Sequence, residues 1–338
     1  MKIQEVARRA RVSTATVSRT INNPSLVSPE TAKRVWKVIE KLRYYPNTQA
    51  RALVSGRSRI LGLIVSDITN PFFPELIKGF EDVAIRNGYE ILVSSTNYDS
   101  ARMALCVRRM LERNVEGVAI MTSEMDKSLL DQLAHRNVPM VFLDVGILGE
   151  GISKIVVDYA MGVNEAMDHL LSLGHRRIGF ISGPWALKSA RIRRTAFMRS
   201  LGAYGIDEDK RLVEEGDHTV DGGLNAMTRM LESQCSPTAL LASNDLTAIG
   251  AMRALRRAGL SVPHDISIVG FDDIRLAEFT EPPLTTVRLS RLELAEQAFN
   301  ALRDASQPQA REEPEHIVET HLVIRETTCP VCPRRACP

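Results

Sequence analysis

The chain has 338 residues, 44% of them hydrophobic, and this length predicts two or three domains, each able to bury a core. No run of 18 apolar residues exists, which excludes a spanning helix, and the chain opens on a charged helix with no export signal, so a cytoplasmic location is expected. The formal net charge of +2 hides an asymmetry: residues 1–58 hold 12 Lys and Arg against Glu5, Glu30 and Glu40 (net +9), and the remainder holds 31 basic against 38 acidic groups (net −7), the pattern of a nucleic-acid reader on an acidic body rather than of a membrane-surface protein.

Ile3 to Asn22 reads as two short helices meeting at a tight turn. Val6, Ala7 and Ala10 form one apolar face, and Val17 and Ile21 form the next at i, i+4 spacing. Ser13 is placed to cap the second helix, whose small polar leaders Thr14, Ala15 and Thr16 have the shape that enters a DNA major groove. The pattern alone leaves open an ordinary helical hairpin covering a core. Arg11 sits in the turn where glycine fits most easily, at a cost of about 1 kcal/mol in a left-handed conformation. Ser28-Pro29-Glu30 starts a third helix, with Val35, Val38, Ile39 and Leu42 as its inner face, and the module ends near Tyr45. Thr48 to Ser55, capped by Asn47 and halted by Gly56, is too short to hold a helix unaided. It is expected to be disordered until a partner orders it, or to act as a plain tether.

From Arg59 the texture alternates between strand and helix. Strands are predicted at 60–65, 91–94, 118–121, 140–143 and 155–157, then at 178–181, near 213, and at 239–242 and 266–269. Helices fill the intervals and 292–302, and an apolar stretch at 317–324 is expected to return to the first lobe. So many βα units exceed one sheet and predict two doubly wound parallel lobes, with a ligand crevice at the strand carboxyl ends.

Catalytic signatures fail. There is no Gly-x-Gly-x-x-Gly opening a helix, no Walker sequence, no His-Glu-x-x-His and no Gly-x-Ser-x-Gly, so the chain reads as a binder, not an enzyme, with no cofactor. A solute-binding protein and a sugar-modifying enzyme are the competing classes. The basic module opposes the first, and a product assay on candidate sugars separates the second. Polar residues cluster at strand ends instead: Asp144, Asp158, Asn244-Asp245, Asp272-Asp273, and Ser189 to Arg193 leading a helix. Acceptors and a guanidinium converging on one crevice suit a polyol or another polar small molecule, although such residues also serve simply as helix caps. Cys106 and Cys235 read as buried small hydrophobes. Cys329, Cys332 and Cys337 lie in a proline-rich tail with three thiols and no fourth ligand, so a disordered tail is expected and no metal site.

Several motifs then stand in one order: Val12-Ser13-Thr14-Ala15-Thr16-Val17-Ser18-Arg19, Tyr45-Pro46-Asn47, Ala50-Arg51-Ala52-Leu53, Asn70-Pro71-Phe72-Phe73, Gly174-His175-Arg176-Arg177-Ile178-Gly179, Gly270-Phe271-Asp272-Asp273 and Pro283-Leu284-Thr285-Thr286-Val287. With them the chain resembles the lactose-repressor (LacI/GalR) family of transcription regulators over residues 2 to about 326. The resemblance implies an N-terminal all-α helix-turn-helix module (1–45) and a hinge helix or linker (46–58). It further implies a periplasmic-binding-protein-like α/β core whose lobes comprise 59–157 with 288–316 and 158–287 with 317–326, before the tail of 327–338. It implies a homodimer on a pseudo-palindromic double-stranded DNA operator, contacted by Ser13, Thr14, Ala15, Thr16, Ser18, Arg19 and Asn22. Of these, Thr14 and Ala15 match the base-choosing positions. Asn47, Ala50 and Leu53 match the hinge, Leu53 as an apolar wedge in the minor groove. The family's effector positions fall on Phe72, Phe73, Asp158, Ser189, Arg193, His218, Asn244 and Asp272. Trp185 and Leu187 are apolar where purine-binding relatives are more polar, which tilts the implied effector toward a carbohydrate. No leucine heptads follow the core, so a dimer is expected over a tetramer.

Overall fold

A computed structural model describes residues 3–45, 57–122, 127–144, 151–233, 236–305 and 316–331. The chain forms two compact units, residues 1–58 and 59–338. The hinge candidates Asn47, Ala50 and Leu53 lie outside the described residues, as do Cys235, Cys332 and Cys337.

The first unit holds three helices, α1 (Ile3–Ala10), α2 (Thr14–Asn22) and α3 (Pro29–Leu42). Val6, Ala7, Ala10, Val17, Val35 and Ile39 form its core, with Ile21, Val38 and Leu42 packed at the margin. Helices this short persist only because each covers the apolar stripe of the others. Arg11 does take the left-handed conformation, with φ of 52°. The turn is closed by the Val12 N–H donating to the Ala7 carbonyl at 3.0 Å.

The second unit alternates strand and helix. Its first half runs β1 (Ile60–Val65), α4 (Phe72–Arg86), β2 (Glu90–Ser95), α5 (Ser100–Glu112), β3 (Val118–Met121), α6 (Lys127–Ala134), β4 (Met140–Leu143) and β5 (Ile152–Asp158). Its second half runs α7 (Tyr159–Ser172), β6 (Ile178–Ser182), α8 (Lys188–Ala203), β7 (Val213–Glu215), α9 (Val220–Glu232), β8 (Ala239–Ala242), α10 (Asp245–Arg257) and β9 (Ser267–Asp272). Then come β10 (Thr285–Leu289), α11 (Arg291–Ala305) and β11 (His316–Val323). Strand order is 2-1-3-4-5-11-10-9-8-6-7.

β11 joins the halves. Residues 316–319 pair parallel to β5, then residues 320–323 pair antiparallel to β10. The apolar stretch at 317–324 thus serves both lobes: its first part returns to β5, and the rest pairs with β10. β10 is not among the predicted strands, because its buried Thr285 and Thr286 break the apolar run. At this crossing α7 lies almost against the strands. A Cβ on Gly162 would stand 2.2 Å from Val287 Cγ1 and 2.5 Å from Thr320 Oγ1. The Gly162 N–H donates to Thr320 Oγ1 at 3.0 Å, and that hydroxyl donates to the Asp158 carbonyl at 2.7 Å.

Residues 327–331 depart from the expected disordered tail. Thr327 is fully buried, its hydroxyl donating to the Ile268 carbonyl at 2.7 Å. His175 Nε2 meets the Cys329 carbonyl at 3.0 Å, and the Val331 N–H donates to the Leu173 carbonyl at 2.9 Å. Backbone pairing beside β9 holds the segment despite its prolines, a long-range effect that composition does not register. Among the described residues no helix is long and apolar enough to cross a membrane.

Candidate functional sites

In the first unit, Ser13 caps α2 by accepting from the Thr16 N–H at 3.1 Å, and its hydroxyl also meets Thr16 Oγ1 at 2.9 Å. Thr20 is buried and donates to the Thr16 carbonyl, so the inner side of α2 is Val17 and Thr20. The outer side is left to Thr14, Ala15, Arg19 and Asn22, all exposed, with Thr16 and Ser18 half-buried. Asn22 Nδ2 donates to Ser18 Oγ at 3.3 Å, setting two of these polar groups one turn apart. On α1, Glu5 pairs with Arg8 at 2.8 Å and Arg9 at 2.7 Å, and these bonds hold its carboxyl down at about 2. Two of the module's cations are therefore partnered within α1, and the recognition-type helix keeps Arg19 on its outer face.

In the second unit a cleft opens where strand carboxyl ends of both halves converge. Seven of the eight residues singled out from the sequence line it: Phe72, Phe73, Ser189, Arg193, His218, Asn244 and Asp272. Asp158 does not. It caps α7, its carboxylate accepting from the Met161 N–H at 3.0 Å, which is the alternative role open to any strand-end carboxylate. Trp185, read from sequence as part of the pocket's apolar character, also stands outside the lining, its indole N–H donating to Ser182 Oγ at 2.8 Å. Leu187 does line the cleft, as do Asn70, Thr122, Asp144 and Tyr159, which are not among the eight positions carried over from the resemblance. Asp144 is visible in the sequence as a strand-end acid. Thr122 has the same signal, directly following β3.

Arg193 organises the polar end. Its guanidinium lies beside a pair of neighbouring rings, 4.9 Å from the centroid of Tyr159 and 4.8 Å from that of Phe271, whose centroids are themselves 5.8 Å apart. Nε donates to the Ser189 carbonyl at 3.3 Å and Nη1 to the Ser243 carbonyl. The cation is held against two adjacent aromatic rings and by two carbonyls, so its position is fixed before any ligand arrives. Asp144 is braced similarly, accepting from the Val157 N–H at 2.9 Å and the Tyr159 hydroxyl at 2.7 Å. Burial still raises its carboxyl above the ordinary range. Asn244 caps α10 through the Thr247 N–H at 2.9 Å and donates from Nδ2 to the His218 carbonyl at 3.0 Å.

His218 is buried, which drives its pKa down to about 3, with Arg193 adding to the effect, so the imidazole is neutral at pH 7. The ring lies against Gly183, where a Cβ would come within 1.9 Å of Nε2. Asp272 is pushed up to about 7 by burial, partly offset by Arg193 and Arg291. Asp144, His218, Asp272 and Asp273 all have positive φ, between 54° and 105°, a concentration of unfavourable backbone at one cleft. Two links cross between the halves beside it. Lys188 Nζ donates to the Asp144 carbonyl. Glu75 accepts from the Arg275 N–H at 3.0 Å and pairs with Arg291 at 2.9 Å, while Arg291 donates to the Asp272 carbonyl at 2.6 Å.

The three-helix basic unit and the α/β unit with its crevice both match known proteins. Residues 2–47 match the profile of bacterial regulatory proteins of the lacI family, and residues 167–328 match that of a periplasmic binding protein-like domain. The HTH-type transcriptional repressor CytR of Escherichia coli strain K12 is 33% identical over 329 residues, covering 96% of both chains. This chain belongs to the LacI family. Among solved structures, the Lac repressor dimer bound to operator and the anti-inducer ONPF superposes with a TM-score of 0.86 at 31% identity, covering 97% of this chain and 99% of that one. The transcriptional regulator CelR in complex with cellobiose gives 0.73 at 30% identity with the same coverages. As a LacI-family member the chain is a DNA-binding transcription regulator with a ligand-binding domain.

Proposed function

We propose that this LacI-family chain acts as a homodimeric repressor whose operator affinity is set by a small polar effector, a sugar or sugar derivative, bound between the lobes. The observation that carries the effector reading is the Arg193 cluster. A buried, pre-positioned guanidinium and the Asp272 carboxyl line the same cleft and interact electrostatically. Donor and acceptor groups held at one end of an apolar crevice are what orients a ring bearing hydroxyls. The similar regulator CelR, solved with cellobiose, supports the same ligand class. Ser13 to Asn22 serve as the base-reading and phosphate-contacting face, with Thr14 and Ala15 choosing bases. Asn47, Ala50 and Leu53 act as the hinge that orders on DNA when paired with the partner subunit's hinge.

Two measurements test this reading. In the first, Leu53→Ala weakens operator binding at least tenfold in a fluorescence titration and leaves effector binding within twofold; equal losses in both sink the hinge assignment. In the second, affinity for an uncharged polyol effector rises about tenfold between pH 6 and pH 8. The sign follows from Asp272: with a pKa of about 7, its acceptor form grows from roughly a tenth to nine-tenths of the population over that interval. Asp272→Asn flattens the profile. A pH-independent affinity in the unsubstituted protein removes Asp272 from the contact set.

A further inference from the structure

Helix α8 carries five cations, Lys188, Arg191, Arg193, Arg194 and Arg199, and no acidic residue, although residues 59–338 as a whole hold 31 basic against 38 acidic groups. Its inner side serves the cleft, which Ser189 and Arg193 line, while Lys188 donates to the Asp144 carbonyl. Its outer side has no such duty. Arg191, Thr195 and Arg199 are exposed at i, i+4, i+8 spacing, with Arg194 and Met198 half-buried beside them. Arg191 gives Nη1 to the carbonyls of Trp185 and Ala186, which orients the guanidinium without neutralising it. Arg194 lies over the Trp185 ring at 5.1 Å, and its Nε is buried with no hydrogen-bond partner. Among the described residues none of these three arginines is in an ion pair. Two carboxylates on neighbouring elements bond elsewhere, Asp168 to the Tyr204 hydroxyl at 2.6 Å and Glu215 to the Trp185 N–H at 2.7 Å. A row of like charges left unneutralised repels itself and draws an anionic partner.

The same side of the helix presents apolar surface. Trp185 is 44% exposed, and two adjoining grooves share Arg191, Thr195 and Arg199, one reaching Ala160 and Ile192 and the other Met198. Arg, Trp and Met are the residues that protein interfaces concentrate, and Trp and Arg make many of their strongest contacts. A single-stranded nucleic acid would instead need cations beside open ring faces on which bases stack. Here Arg194 covers the Trp185 ring, and the indole N–H already donates to Ser182 Oγ at 2.8 Å. Phosphates would also leave the apolar part of the grooves without contact. From Arg191 to Arg199 the helix rises about 12 Å, the span of carboxylates set one turn apart on a second helix packed alongside. We infer that the outer face of α8 is a docking surface for an acidic, amphipathic helix of a partner protein, its carboxylates on Arg191, Arg194 and Arg199 and its apolar side chains on Trp185, Ile192 and Met198.

The experiment uses the full-length protein and a fluorescein-labelled helical peptide of about 20 residues, with glutamates along one stripe and leucines along the next. Anisotropy titrations at fixed physiological salt compare it with polyglutamate of equal charge and with a DNA duplex that lacks an operator. The expected result is peptide binding at least tenfold tighter than polyglutamate binding. It weakens at least tenfold in the double variant Arg191→Glu with Arg199→Glu, while affinity for the duplex stays within twofold. Thr195→Glu sets a carboxylate between those arginines at an exposed position, removes none of their contacts and is expected to give a similar loss. Thermal melts of all variants confirm that they are folded, and Thr195→Glu alone decides the matter if the double variant is not. A peptide that fails to bind, or that binds Thr195→Glu as tightly as the unsubstituted protein, overturns the docking surface. Polyglutamate that binds as well as the peptide overturns the amphipathic helix, since charge alone then suffices. Duplex affinity that falls with the substitutions assigns the face to nucleic acid and overturns the protein partner.

Discussion

Arg193→Ala is expected to weaken effector binding at least about 100-fold, roughly 2.7 kcal/mol, while leaving operator affinity without effector within twofold. The side chain is buried, and its cation is held by two neighbouring rings and two carbonyls at once. Alanine removes the donor to the ligand. It also strips the Ser189 and Ser243 carbonyls of their partner and leaves Asp272 without one of the two cations that offset its burial. Unmaking a buried charge and its hydrogen bonds costs about 3 kcal/mol of fold stability as well. Arg193→Lys separates these effects. It restores the charge but neither the fork nor the stacking, so stability recovers further than affinity does. Calorimetric titration and urea unfolding of the two variants measure the two losses. Wild-type affinity in the alanine variant would contradict the cleft as the effector site.

Gly162→Ala should reduce the stability of the core by about 3 kcal/mol, at the upper end of what one extra methyl costs in a packed interior. The reason is local. α7 passes so close to β10 and β11 that a Cβ would overlap Val287 and Thr320, and both belong to strands that tie the lobes together. Relief requires α7 to lift away, which lengthens the Gly162–Thr320 hydrogen bond and through it the Thr320–Asp158 bond. Urea unfolding reports the loss as a lowered midpoint. Because the clash sits at the crossing rather than in either lobe, Gly162→Ala should also weaken the effector's influence on operator binding. An unchanged midpoint would show that the crossing yields more easily than its contacts imply.

Much of this architecture was legible from local chemistry. The three N-terminal helices announce themselves by caps at Ser13 and Ser28 and by stripes that converge on one small core. The βα alternation is equally plain where strands are continuously apolar, as in Ile60–Val65 and Ile178–Ser182. Legibility fails where long-range contacts override composition. β10 hides behind Thr285 and Thr286, whose hydroxyls are buried by partners 40 or more residues away, Arg325 and Asp245. The Cys- and Pro-rich end looks unstructured until backbone groups of Leu173 and Ile268 are seen to pair with residues 327–331.

The candidate site shows the same division. Strand-end carboxylates are visible in sequence, but each is claimed by different neighbours in the folded chain. Asp158 meets the free N–H groups of α7 and becomes a cap, Asp144 is taken up by Val157 and Tyr159, and Asp272 keeps its carboxyl in the cleft. Nothing local to the three residues distinguishes these outcomes. The aromatic pair beside Arg193 was likewise invisible, because Tyr159 and Phe271 come from different strand ends and meet only in three dimensions.

Regulation by this protein requires that cleft and operator be energetically linked. Operator titrations of the full-length dimer, with and without saturating effector at fixed salt, measure that link directly. The expected change in operator affinity is about 5- to 150-fold, or roughly 1–3 kcal/mol, abolished by Arg193→Ala. An operator affinity that stays the same under a ligand demonstrably saturating the cleft would contradict the linkage.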